Sequence, residues 1–219
     1  MAADDRPPTS TLERRCLPPL GVHGPEHDFV TGHQRERIMY ALATSVARYG
    51  LPATTIDQIV TRAGVSRHTF HSQFAGKDDL LVQTYDDAAT RLLDHVLTAV
   101  AQTDDPAEQL RRCLSALLDG LASEPTVTRL CIVDIPTAGP QIIRQRDVHQ
   151  AAFAAVLRRI AGGLGDGELP PLAAEGLAGA IHELLHKRVA QGRTDALPAL
   201  LDDLHGFSLT VLRPHATTP

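Results

Sequence analysis

Residues 54–81, TTIDQIVTRAGVSRHTFHSQFAGKDDLL, constrain the fold more than any other part of the chain. Ile56, Ile59 and Val60 mark one apolar face of a short helix, and Thr54-Thr55 supplies its N-cap. Ala63-Gly64-Val65-Ser66 reads as a tight turn, with Gly64 free to adopt the reversed backbone such a corner needs. Ser66 then caps a third helix carrying Phe70 and Phe74 four residues apart. Gly76-Lys77 breaks the pattern, and a long helix follows. Upstream, Ile38, Leu42, Ser45, Val46 and Tyr49 form the stripe of an amphipathic helix, stopped by Gly50 and Pro52. Both short helices must pack on that first one. Arg67, His68, His71 and Ser72 are then left on the outer face of the third helix. That face bears donors and no carboxylate, which suits the major groove of DNA, where phosphates and base edges lie close together.

The rest of the chain reads as helix. Leu80, Leu81, Thr84, Tyr85, Ala88, Leu92, Val96 and Val100 extend the linking helix from Lys77 to about Gln102. Leu110 to Leu121 mark the next helix, and a shorter one follows Pro125. Pro140 opens another, and two final helices span roughly 171–191 and 196–212. No strand pattern is visible. The expected class is all-α with about nine helices: a three-helix head at 33–80 and a helical body at 81–219. Residues 1–32 carry Pro7, Pro8, Pro18, Pro19 and Pro25 without periodicity and read as a disordered arm, in which Arg14 and Arg15 could reach DNA.

The motif A-G-V-S, then T-F-x-x-x-F, then K-D-x-L resembles the DNA-binding segment of the TetR family of bacterial regulators. The likeness is close over about 50 residues; beyond them only helix number and loop positions agree. The resemblance implies a dimeric regulator whose body binds a small molecule and whose linking helix swings on binding, changing the spacing of two heads on DNA. It implies DNA contacts by Thr55 and Ser66 at helix N-termini, by Arg67 and His68 toward bases, and by Thr69 and His71 toward the backbone, with Ser72 on the same DNA-facing surface. Lys77 would hold a phosphate at the groove edge. His71 stands where the family usually has tyrosine, so its contact would be shorter and dependent on pH.

Charge and cysteine content fit this reading. The net charge is −5, but residues 33–80 hold six Arg and Lys against four carboxylates, so the head alone is basic. Cys16, Cys113 and Cys131 are odd in number and lack C-x-x-C spacing, which argues against a disulfide framework and for a reducing cytoplasm. Neither a signal peptide nor a transmembrane helix is expected, since no apolar h-region and no run of about 18 apolar residues is visible.

One motif competes. His182-Glu183-Leu184-Leu185-His186 is H-E-x-x-H on a helix, the ligand and base pattern of a zinc hydrolase. The extended form would need Gly at 189 and His at 192, where Val189 and Gly192 stand, and no glutamate follows to position 219. The expectation is therefore neither an enzyme nor a cofactor, with His182 and His186 as a minor metal option. Leu114, Leu117, Leu118, Leu121, Leu130, Val133 and Phe153 are expected to line an aliphatic pocket, with Asp134 and His149 as polar anchors. That pocket suits an apolar, acyl or terpenoid effector. Gly176, Gly179 and the leucines of the last helix are expected at a homodimer interface, and no membrane contact is expected.

Overall fold

The computed structural model describes residues 26–135, 139–165 and 169–213. Among them are nine α-helices and no strand. They are α1 (Glu26–Tyr49), α2 (Ile56–Ala63), α3 (Arg67–His71), α4 (Lys77–Val100), α5 (Pro106–Ser123), α6 (Pro125–Arg129), α7 (Pro140–Ala161), α8 (Ala173–Ala190) and α9 (Leu201–Leu212). Helix α1 opens at Glu26, inside the stretch expected to be an arm. Arg14 and Arg15 lie outside the described residues.

Two departures from the expected helices have local causes. The last helix begins late because Pro198 has no N–H to give; the chain runs as a 3-10 segment from Thr194 to Leu200, and α9 starts at Leu201. After α6 the ladder widens into a π-helical turn, Leu130–Asp134.

The helix-turn-helix corner is fixed by the residues that the sequence singles out. Thr55 and Gln58 form a capping box on α2, with the Gln58 amide donating to the Thr55 hydroxyl at 3.3 Å and the Thr55 amide to the Gln58 side chain at 2.9 Å. Gly64 ends α2 at φ +64°, a left-handed value that favours glycine. A Cβ there would also lie 2.6 Å from an Arg37 guanidinium nitrogen. The Ser66 hydroxyl caps α3 by accepting from the Thr69 amide at 2.9 Å. Phe70 and Phe74 are buried with ring centroids 5.7 Å apart, packed against Ile38, Leu42, Val46, Ile59 and Leu80.

This head core does not close on itself. It runs up α4 through Leu81 to Tyr85 and takes in Val127, Leu130, Ile135 and Ile142 from the body. The second core belongs to the body alone, with Leu110, Leu114, Leu118, Leu157 and Leu177 at its centre. Leu197, Leu204 and Leu212, expected at a dimer interface, are buried in it and serve the subunit's own core. Leu184 and Phe207 stay exposed on α8 and α9. Gly176 and Gly206 face open space, whereas Gly179 lies against Gln150 of α7.

Candidate nucleic-acid interface and cavity

The outer surface of α3 presents Arg67, His68, His71 and Ser72, all exposed, with Ser66 exposed at its N-cap. Thr69 is half-buried, and its hydroxyl sits 2.9 Å from that of Ser66. Ser72 donates to the Thr69 carbonyl at 2.9 Å, and the His71 ring meets Phe70 edge-on at 5.1 Å. The Thr55 hydroxyl is occupied in the capping box of α2. Arg67 makes a two-point contact with Asp57 of α2: Nε to Oδ1 at 2.7 Å and Nη2 to Oδ2 at 2.5 Å. Sequence reasoning missed Asp57, because nothing in the spacing of residues 57 and 67 reveals how α2 and α3 cross.

Much of the head's positive charge is turned to structural use. Arg37 donates to the carbonyls of Ala63 and Gly64 and so closes the turn. Arg35 stacks over Phe74 at 4.9 Å and donates to Gln83 at 2.5 Å. The Lys77 ammonium is half-buried, donating to the Leu51 carbonyl at 3.1 Å and the Thr54 carbonyl at 3.0 Å. It therefore clamps the start of α4 to the α1–α2 loop rather than simply reaching outward. Bonds from a charged donor are worth about 1.5–3 kcal/mol. Lys77→Met is thus expected to cost the fold about 1–2 kcal/mol after relaxation, read as a lower thermal midpoint, as well as weakening DNA binding alike for all sequences. An unchanged midpoint would show that the clamp contributes nothing.

A cavity of about 170 Å³ opens between α4, α5, α7 and α8 beside the π-helical turn. Its walls are apolar, including Leu92, Leu117, Leu121, Phe153 and Ile181. Arg146, His149, Gln150 and His182 place polar groups on α7 and α8 at one side of it, with Tyr85 and Thr128 elsewhere in the wall. Of the expected lining, Leu117, Leu121, His149 and Phe153 are there. Leu114 and Leu118 are not; they point into the body core. Leu130 belongs to the head core. Val133 packs against the body core, and the half-buried Asp134, its carboxyl raised by burial, also lies off the cavity. The expectation failed there because the π-helical turn shifts the phase of the residues after Arg129 relative to an α-helix.

At the cavity rim, His149 sits 2.8 Å from Asp86 of α4, and Gln145 donates to the same carboxylate at 2.5 Å. Those two bonds hold the Asp86 carboxyl below its ordinary range. Burial, then the neighbouring Arg146 and His186, keep His182 below the usual imidazole range. The Cys131 thiol on the wall is pushed up to about 12, chiefly by burial, so it is inert as a nucleophile.

Residues 38–84 match the family model for bacterial regulatory proteins of the tetR family, a span running from α1 into α4. These residues form a tetR-type DNA-binding segment. The chain is 25% identical over 144 residues to the HTH-type transcriptional activator FasR of Mycolicibacterium smegmatis, covering 65% of this chain and 66% of that relative, just under two thirds of its length. Its fold is similar to that of the fatty acid degradation regulator FadR from Bacillus halodurans, with a TM-score of 0.72 at 19% identity over 80% of this chain and 97% of the other. FadR from Bacillus subtilis, solved in complex with stearoyl-CoA, gives a TM-score of 0.71 at 17% identity with the same coverage.

The H-E-x-x-H motif is part of α8. His182 faces the cavity, while Glu183 pairs with Lys187 at 3.3 Å. Among the described residues no group of three or more His, Cys, Asp or Glu side chains converges as a metal site would require. No helix among them is long and apolar enough to cross a membrane.

Proposed function

We propose that this regulator binds a palindromic operator as a homodimer through α3, and that an acyl-type small molecule in the cavity releases it. The observation that carries the reading is that the cavity and the head core share side chains. Tyr85 and Val127 line the cavity and are also members of the head cluster. An occupant that moves them moves the head. Two heads must meet successive major grooves about 34 Å apart, so a small tilt of each weakens both half-sites.

The cavity also suggests how the effector lies. Its apolar part fits among the leucines of α4 and α5, and its polar end meets Arg146, His149, Gln150 and His182. A fatty acyl compound with a carboxylate or thioester head has that division of polarity, and stearoyl-CoA occupies the related Bacillus subtilis protein. The homodimer would form on α8 and α9, where Leu184 and Phe207 are exposed and Gly176 and Gly206 leave open space for a facing helix.

A second reading has its own support. The relative FasR is named an activator, so an effector-dependent increase in DNA binding is the alternative within the family. One experiment separates them. The purified chain is offered DNA flanking its own gene at moderate salt, and a palindromic site is expected to be retained. Free fatty acids and acyl-CoA thioesters of graded length are then added. Release supports repression lifted by an acyl effector, tighter binding supports the activator reading, and failure to retain any specific site removes both.

A further inference from the structure

We infer that Asp57 sets the base preference of this regulator by holding Arg67 in position to read a guanine. A guanidinium has two edges capable of paired hydrogen bonds: the side edge, Nε with one terminal nitrogen, and the end edge, formed by both terminal nitrogens. Asp57 occupies the side edge, at 2.7 Å on Nε and 2.5 Å on Nη2. Three N–H donors remain in a fixed plane, and two of them, one on each terminal nitrogen, form the end edge. Guanine presents O6 and N7 in the major groove as two adjacent acceptors, the best match for that edge. Adenine offers one acceptor beside a donor there, and thymine one acceptor beside a methyl group, so neither can accept both bonds.

The pairing joins two different helices. Asp57 stands in the first turn of α2, Arg67 opens α3, and both side chains are mostly exposed. On an exposed surface such a pair adds little to stability. Its consequence lies in order: a long side chain confined before binding loses less freedom on docking. The carboxylate also repels phosphates, which lowers affinity for DNA lacking the matching guanine. Asp57 therefore acts with opposite signs on specific and non-specific binding. Its other role, favouring the dipole at the start of α2, would affect stability without regard to DNA sequence.

The inference rests on α3 being the base-contacting helix, and the test separates the two. The full-length chain first selects its preferred site from a randomised duplex library. Each conserved guanine is then replaced by A·T, or by 7-deazaguanine, which lacks N7. Wild type, Asp57→Asn and Arg67→Ala are compared on these duplexes and on an unrelated duplex of equal length. At one guanine per half-site, Arg67→Ala is expected to abolish discrimination. Asp57→Asn should reduce it about tenfold, while its binding to the unrelated duplex holds or tightens. The double variant should discriminate no worse at that position than Arg67→Ala. Failure of wild type to select any site would overturn the reading of α3 itself. A selected site at which Asp57→Asn keeps wild-type preference would overturn only the role of Asp57. So would equal weakening on all duplexes together with a lower melting midpoint, which marks a purely structural residue; Asp57→Ser serves as a second variant for that comparison.

Discussion

Phe70→Ala is expected to lower the stability of the chain by about 3–5 kcal/mol, the range for emptying a fully packed phenylalanine site. Phe70 is completely buried and touches Phe74, itself buried. It is also the side chain by which the five-residue α3 is fastened to α1 and α2. A helix so short has no stability of its own in water. Two consequences follow. The thermal midpoint, followed by circular dichroism, should fall by roughly 10 °C for a chain of this size. Specific operator binding should be lost at temperatures where the body is still folded, because α3 detaches before the body core opens. Phe70→Leu, which keeps most of the volume, should recover most of both. A Phe70→Ala variant that melts like wild type would mean that the head core can collapse around the vacancy, and that Phe70 is not what holds α3.

The helix-turn-helix could be read so directly because its determinants are local. Thr55, Gly64, Ser66 and the Phe70–Phe74 spacing each specify backbone conformation within four residues, and such rules need no knowledge of the remainder of the fold. The cavity was legible only in part for the opposite reason. Leu117 and Leu121 lie on one face of α5 and line it, whereas Leu114 and Leu118, on the same helix, are turned into the body core. A run of leucines broad enough to serve both faces does not say which face is hollow. The polar end was legible only through His149. Arg146 and Gln150 share its face of α7, but the spacing of charged residues on a helix says nothing about whether a neighbour leaves room beside them. Charge misled in the same way. Arg35, Arg37 and Lys77 count toward a basic head in the sequence, yet in the fold each is bonded to backbone or side-chain oxygens. Only tertiary contact separates a cation that holds a loop from one that meets a phosphate.

A ligand that fills the cavity is expected to weaken operator binding about a hundredfold, and the operator must then weaken that ligand by the same factor. This is a statement about free energy: a hundredfold change corresponds to about 2.7 kcal/mol of coupling, and linkage makes it reciprocal. The route is short. Tyr85 and Val127 belong to both the cavity wall and the head core, and Thr128, Cys131 and Ile132 line the cavity beside Leu130, which faces the head. Asp86 meanwhile ties α4 to His149 and Gln145 of α7 at the rim. Displacing α6 and the π-helical turn therefore strains packing on α1 and α4 together. The measurement is the affinity of a fluorescent acyl carboxylate, or of its CoA thioester, with and without a saturating operator duplex. Arg146→Ala supplies the control. It removes the cation at the polar end of the cavity, away from the head cluster, and should weaken acyl-carboxylate binding about tenfold while operator affinity changes by less than about threefold. Equal ligand affinities with and without operator would show that the occupied cavity is not coupled to the head, whatever the ligand's affinity for it. A ligand that binds more tightly in the presence of operator would reverse the sign of the coupling. The shared side chains at Tyr85 and Val127 would then favour the DNA-bound spacing of the heads when the cavity is full.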